Sequence, residues 1–116
     1  MNKQETFDKV AKHLLTQNAK SVNGGRCSYR GAEGRMCAVG CLIDDEHYSP
    51  ALEGCHVWFP DVRTALSKSG VPNEVVGTLL DALKTIHDCY PLEDWRAELY
   101  ILAEHHGLNV AGLYVS

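Results

Sequence analysis

The stretch GRCSYRGAEGRMCAVGCLIDDEHY, residues 25–48, decides the fold, because it interrupts a chain that otherwise has the pattern of amphipathic helices. Its first part, 26–30, alternates like a short strand, with Cys27 and Tyr29 expected to face inward. The GAEG that follows favours a turn, because glycine tolerates positive φ. We therefore predict a small β-hairpin element around Cys27 to Arg35.

The apolar run MCAVGCLI, residues 36–43, is consistent with two structures. As a strand it would be apolar on both faces and would have to be fully buried. As a helix it would place Cys37, Gly40 and Cys41 on one face, where small side chains let another element approach closely. We favour a short helix, although periodicity alone does not decide so short a run.

Four amphipathic helices are predicted outside this stretch: an N-terminal one, then Val62 to Ser69, Asn73 to Cys89, and one from Leu92 to the stop at Gly107. Their apolar positions recur at helical spacing and would form one core. These positions are Phe7, Val10, Ala11, Leu14 and Leu15; Val76, Leu79, Leu80, Leu83 and Ile86; and Trp95, Leu99, Leu102 and Ala103.

Several local features refine this pattern. Thr6 and Asp61 are expected to be the N-caps of the first and second helices. Trp58 and Phe59, just before a proline, are expected to anchor the second helix in the core. His87 is expected to be a buried imidazole that bonds a backbone carbonyl.

We predict a single globular domain over residues 1–116, mainly α with four to five helices and a small β-hairpin; a single-domain α+β fold is the alternative. The tail, 109–116, would add a short strand or dock on the helices. No apolar run reaches the roughly 20 residues that span a bilayer. The N-terminus lacks a signal-peptide core, so we expect a cytoplasmic protein.

The net charge of −4 is unevenly distributed. Residues 1–43 have seven basic against three acidic residues, whereas residues 44–116 have four against twelve. The two parts therefore carry +4 and −8, which predicts a bipolar surface. Net acidity disfavours direct nucleic-acid binding, which requires a basic domain.

A zinc site is one possible chemistry of this chain. The soft ligands available to it are Cys27, Cys37, Cys41, Cys55 and His56. Their spacing includes no C-x2-C pair, and five is an odd number for a disulfide framework. Buried, reduced cysteines are the favoured interpretation, and we predict no cofactor.

Nucleophilic catalysis is a second possibility. A cysteine could pair with His47, His56 or His87, as nucleophile and base. No nucleophile elbow or companion acid motif accompanies such a pair in the sequence. We therefore do not favour an enzyme.

An anion or partner site is the third possibility, since arginine forks and glycine-rich backbone suit phosphates and carboxylates. The alternative is that Arg30 forms an internal ion pair with Asp44 or Asp45 and fastens the loop. The predicted binding residues are Arg26, Tyr29, Arg30, Arg35, Asp44, Asp45 and Tyr48.

The chain resembles a group of small proteins of tailed bacteriophages and prophages. The resemblance rests on C-x-Y-R-G, G-R-x-C-A-V-G-C-L-I-x-D-E-x-Y, I-H-D and the late H-G-L, and it covers most of the chain. Such sequences often have proline after the L-I pair, where this chain has Asp44. The pattern itself names no activity.

The resemblance implies an accessory protein in the cytoplasm of a bacterial host that binds and inhibits a host or anti-phage defence protein. A nucleic-acid-handling complex is an example, because an acidic face competes for a basic groove. The alternatives are a small-ligand protein that binds a phosphate-bearing signal through its arginines, and a zinc-stabilised interaction module.

Overall fold

The computed structural model describes residues 1–73, 75 and 77–114, and it confirms a mainly α fold with a small hairpin. Its α-helices are α1 (Lys3–Gln17), α2 (Pro60–Lys68), α3 (Thr78–Cys89) and α4 (Trp95–His106). Strand β1 (Val22–Asn23) pairs antiparallel with β2 (Arg26–Cys27). Short 3-10 segments lie at Ala32–Gly34, Gly40–Leu42, Asp45–His47, Pro50–Leu52, Leu92–Asp94 and Ala111–Tyr114.

The core lies where α1, α3 and α4 pack together, as the apolar stripes predict. Trp95 is fully buried, and so are most of the predicted positions on each helix. Leu15 is only partly buried, and Val76 lies outside the described residues. Each fully buried large side chain stabilises the fold by roughly 1.5–3 kcal/mol.

The N-cap of α1 is Asn2, so the assignment to Thr6 was wrong. The Asn2 side chain accepts from the Glu5 amide, and the Glu5 side chain accepts from the Asn2 amide, which forms a capping box. Thr6 is buried one turn further, and its hydroxyl donates to the Asn2 carbonyl.

The entry to α2 also differs from the prediction. The helix begins at Pro60, and Asp61 lies in its first turn rather than at the cap. Trp58 and Phe59 are not core anchors, since they are 49% and 42% exposed. A turn closed by the bond from the Phe59 amide to the His56 carbonyl leaves Val57 as the buried residue of this segment.

Helix α3 begins at Thr78, later than the predicted Asn73. Gly77 precedes it with φ of 153°, a backbone conformation that L side chains rarely adopt and that cannot continue a helix. Glu74 and Val76 lie outside the described residues. In the tail, Ala111–Tyr114 docks against α1 and buries Leu113.

The hairpin lies at the surface, so Cys27 is exposed and not inward-facing, whereas Tyr29 is buried as expected. After a bridge between Arg30 and Met36, the MCAVGCLI run forms turns and the 3-10 segment Gly40–Leu42, closer to the predicted helix than to a strand. Gly40 packs directly on the Tyr29 backbone, the close approach that small residues favour.

We expect Gly40→Ala to be strongly destabilising. A Cβ at position 40 would lie 2.6 Å from the Tyr29 carbonyl carbon and would overlap its oxygen. The free energy of unfolding should fall by about 3 kcal/mol, because backbone has to move.

Chemical denaturation measures this loss. Gly112→Ala is the matched control, since its Cβ would meet only the Asp8 carboxylate at 3.5 Å. Equal stability of the two variants would show that the contact between Gly40 and Tyr29 does not constrain the fold.

Candidate functional site

A polar cavity of about 160 Å³ lies between the hairpin, the loop at residues 53–56 and the end of α3. Four of the five predicted zinc ligands line it, but Tyr29 is the only one of the predicted binding residues that does. Among the residues that line it are Cys27, Tyr29, Cys37, Glu53, Cys55, His56, Lys84 and Asp88.

His87 is fully buried beside this cavity and packs against the Trp95 ring at 5.6 Å between centroids. Its Nε2 accepts a hydrogen bond of 2.9 Å from the Ser21 amide. Nδ1 therefore carries the proton and donates to Asp88 Oδ1 at 2.6 Å. The prediction that His87 bonds a backbone carbonyl was therefore wrong, because its backbone partner is the N–H of Ser21.

Asp88 accepts from His87 and also from Lys84 Nζ at 2.9 Å. Burial raises the pKa of Asp88, but the hydrogen bonds from His87 and Lys84 outweigh it and lower that pKa. Burial lowers the pKa of Lys84, and the bond and charge of Asp88 reverse this and raise it. The three groups satisfy one another, so the cluster fastens the end of α3 to the loop at Ser21.

Cys27 is the reactive group nearest to this cluster, but it is poorly suited to be a nucleophile. Partial burial raises the pKa of the Cys27 thiol, and the charge and hydrogen bonding of the neighbouring Asp88 carboxylate raise it further. Both nitrogens of His87 are already engaged, so the imidazole cannot accept the thiol proton. This geometry does not form the nucleophile and base pair that a cysteine enzyme requires.

The structure does not gather the five predicted zinc ligands. Within the described residues, Cys27, His87 and Asp88 form one group whose ligand atoms lie within 4.8 Å of one another, and none of the other four predicted ligands joins it. A metal on His87 Nδ1 would have to displace the proton while Nε2 accepts from Ser21. This donor set therefore fits zinc poorly.

Cys37 is a core residue, and Cys41 is partly buried against the core. Burial raises the pKa of each thiol to about 12. Cys37 Sγ accepts from the Gly40 amide, and the Cys41 thiol donates to the Ala38 carbonyl.

Arg30 fastens the segment that follows the hairpin to the acidic turn at residues 44–46. Its guanidinium pairs with Asp45 at 2.7 Å, donates to the Ile43 carbonyl at 2.8 Å and stacks over the Tyr48 ring at 4.4 Å. The expected internal ion pair is confirmed, with Asp45 as the partner.

Glu53 lines the cavity, and the sequence did not predict its role. Its carboxylate accepts from the amides of Tyr29 and Arg30, at 2.9 and 3.0 Å, and from the Tyr48 hydroxyl at 2.6 Å. Burial and this last bond raise the pKa of Tyr48 to about 12. The sequence contains no spacing rule that links Glu53 to Tyr29, 24 positions away.

The remaining predicted binding residues lie apart from one another. Arg35 pairs with Glu33 at 3.0 Å, and Arg26 is exposed on the hairpin. The Asp44 amide donates to the Ser69 hydroxyl, and the Tyr29 hydroxyl donates to the Cys55 carbonyl. Arg26, Arg30 and Arg35 therefore do not converge on one ligand.

A second depression, of about 500 Å³, runs between α3 and α4. Ile86, Leu102 and the exposed Ile101 give it an apolar floor, and Asp81 and Glu98 lie among its lining residues. We call it the α3–α4 groove. Ile101 is 59% exposed, the largest exposure among the described large apolar side chains.

Comparisons with protein-family models, curated proteins and solved structures find no match to this chain. In the part of the chain that the structure describes, the helices are too short or too polar to cross a membrane.

Asp88→Asn should destabilise the protein at neutral pH by about 1–3 kcal/mol, because a charged acceptor of two hydrogen bonds is lost. The pKa of Asp88 is lower in the folded chain, so its contribution is complete above the unfolded-state pKa of about 3.9. It disappears as the pH falls through the folded-state pKa. The variant should therefore lose less stability than wild type on acidification.

Denaturation curves across the acidic range measure both effects. Asp81→Asn, on the exposed side of α3, is the control. If the acid dependence of Asp88→Asn equalled that of wild type, Asp88 would not be the group responsible.

The rate of thiol labelling should distinguish the exposed cysteines from those that are shielded from solvent. At about pH 8, an alkylating reagent should modify the exposed Cys27 and Cys89 while Cys37 and Cys41 remain protonated and protected. Peptide mass spectrometry reads out each site, and protein unfolded in guanidinium calibrates full labelling. Modification of Cys41 as fast as that of Cys89 would contradict the burial.

Proposed function

We propose that the protein is a phage-type accessory protein that binds and inhibits a host or anti-phage defence protein. The α3–α4 groove is its binding surface, and the partner presents a basic surface with an apolar projection. The observation that carries the proposal is that the exposed Ile101 shares one groove with the apolar Ile86 and Leu102 and with the acidic Asp81 and Glu98.

Charge supports this choice of surface. Residues 78–106 contain six acidic residues against Lys84 and Arg96, a net charge of −4 that equals the charge of the whole chain. Lys84 is paired with Asp88, away from the groove lining. Acidic groups around an apolar centre favour a basic partner, because complementary charge accelerates association and excludes acidic competitors.

The composition of the groove resembles that of the centres of protein interfaces. Tyr90 and Ile101 supply large exposed side chains. Aromatic and aliphatic side chains of this kind contribute most of the binding energy when they are desolvated at an interface centre. Proteins that handle nucleic acids present basic grooves, which an acidic protein can occupy in competition with the nucleic acid.

The polar cavity supports a binding protein rather than an enzyme. His87, Asp88 and Lys84 are bonded to one another, and the pKa of Cys27 is raised. These groups stabilise the fold at the end of α3, and the α3–α4 groove, whose lining includes none of them, is left for a partner.

The test is affinity capture from lysate of the bacterial host with three baits: wild type, Ile101→Lys and Val22→Lys. Val22 is also an exposed apolar residue, but it lies on β1 and does not line the groove. A partner should be captured by wild type and by Val22→Lys. It should be lost with Ile101→Lys, because a cation replaces the central apolar contact.

Binding of the purified partner then tests the role of charge. Asp81→Asn with Glu98→Gln should weaken binding about tenfold at low salt and reduce its salt dependence, since each removes a carboxylate without changing side-chain size. The partner's activity should fall when wild type is added. A partner that binds Ile101→Lys as tightly as wild type, or retains full activity when saturated, would refute the proposal.

A further inference from the structure

A third depression lies on the outer face of α2 beside Trp58, with a volume of about 390 Å³. We call it the α2 cleft. Arg63, Thr64, Ser67 and Lys68 line it, at the spacing that places side chains on one side of a helix, together with Pro60 and Asn73. The polar groups of the cleft are therefore two cations, two hydroxyls and an amide.

The charge of the α2 cleft opposes that of its surroundings. Residues 44–116 contain four basic residues against twelve acidic ones, and two of those four line this cleft. The polar cavity and the α3–α4 groove each include two carboxylates, whereas the described residues that line the α2 cleft include none.

Arg63 differs from Arg30 and Arg35, whose guanidinium groups pair with carboxylates. Among the residues that the structure describes, the Arg63 side chain has no hydrogen-bond or ion-pair partner, and its Nε is buried without one. The Arg30 Nε is also buried without a partner, but the terminal nitrogens of Arg30 are bound by Asp45 and by the Ile43 carbonyl. Such an unsatisfied buried donor in a folded protein requires an explanation.

Trp58 fixes this arginine in place. The guanidinium lies 5.8 Å from the Trp58 ring centroid. The ring in turn packs close to Gly77, where an added Cβ would lie 3.2 Å from it. The arginine is thus held against an aromatic face beside the cleft, which reduces the entropy lost when it binds an anion.

We propose that the α2 cleft binds the phosphate group of a phosphate-bearing small molecule. Arg63 offers a planar fork that matches phosphate oxygens, Lys68 adds a second charge, and the hydroxyls of Thr64 and Ser67 donate hydrogen bonds. The half-exposed Trp58 ring beside the cleft is a stacking surface for a planar part of the same molecule.

The ligand is a small molecule and not a nucleic-acid strand. A strand carries a phosphate on every nucleotide and needs a continuous basic track. Here the two cations lie within an acidic half of the chain, and Asp61 is exposed on the same helix, two residues before Arg63. Two cations match one phosphate group.

Tryptophan fluorescence offers a direct measurement, because Trp95 is fully buried and Trp58 is 49% exposed. We expect the Trp58 signal of the full chain to change saturably on titration with AMP, with ribose 5-phosphate and with inorganic phosphate. Tighter binding of AMP than of ribose 5-phosphate would assign part of the affinity to stacking on Trp58, and equal binding would assign it to the phosphate alone.

The variants are Arg63→Gln, Lys68→Gln and Arg26→Gln, which make the same change in net charge. Arg63→Gln should weaken AMP binding at least tenfold, and Lys68→Gln should weaken it less, because a bidentate partner contributes more than a point charge. Arg26→Gln, on the hairpin, should bind like wild type. Lys68 is exposed, so its variant keeps the test valid even if Arg63→Gln is poorly folded.

Three results would overturn the proposal: no saturable signal at millimolar AMP or phosphate, equal weakening by Arg26→Gln and the cleft variants, or tighter binding of a single-stranded oligonucleotide than of AMP. The last result would assign the cleft to nucleic acid. Because Ile101 does not line this cleft, the Ile101→Lys variant should bind AMP normally, so failure of this proposal is distinguishable from failure of the protein-binding proposal.

Discussion

The carboxylate of Glu53 is the group on which the irregular segment at residues 28–57 depends. Residues 28–57, all of which the structure describes, contain turns and 3-10 segments but no α-helix or named strand, so many of their backbone donors have no regular partner. Glu53 accepts from two consecutive amides, those of Tyr29 and Arg30, and from the Tyr48 hydroxyl. It thereby joins the start of the segment to its end. The same contacts place Tyr29 where Gly40 can pack against its backbone.

This fastening explains why a region rich in cysteine, histidine and arginine is a poor centre for chemistry. The Arg30 guanidinium pairs with Asp45, and His87 is held through both nitrogens, by Ser21 and by Asp88. A catalytic group has to change its protonation or its partners during a reaction, and such a change at the fully buried His87 would leave a buried polar group unsatisfied. Reactive residue types in this part of the sequence therefore indicate stability more than activity.

The helical part of the fold could be predicted from sequence because helical periodicity is local, and Trp95 and its neighbours lie where their spacing places them. The ion pair of Arg30 was also predictable, because the acidic turn follows within one short segment. The role of Glu53 was not predictable. Its partners at Tyr29 and Arg30 are brought close by a loop whose sequence has no periodicity. Trp58 and Phe59 were misplaced for a related reason. Hydrophobicity predicts burial on average, but the turn before Pro60 leaves only Val57 inside.

The surfaces left open by this fastening differ in sign, and that difference separates their roles. The α3–α4 groove combines exposed Ile101 with acidic neighbours, whereas the α2 cleft combines Arg63 and Lys68 with hydroxyls. A single ligand class cannot satisfy both, because a basic protein that fits the first would be repelled by the second. A phosphate-bearing molecule in the α2 cleft would add negative charge to the acidic half of the chain and would therefore strengthen, at low salt, its attraction for a basic partner. The two proposed sites are therefore electrostatically compatible, and a ligand bound at one should increase the affinity of the other.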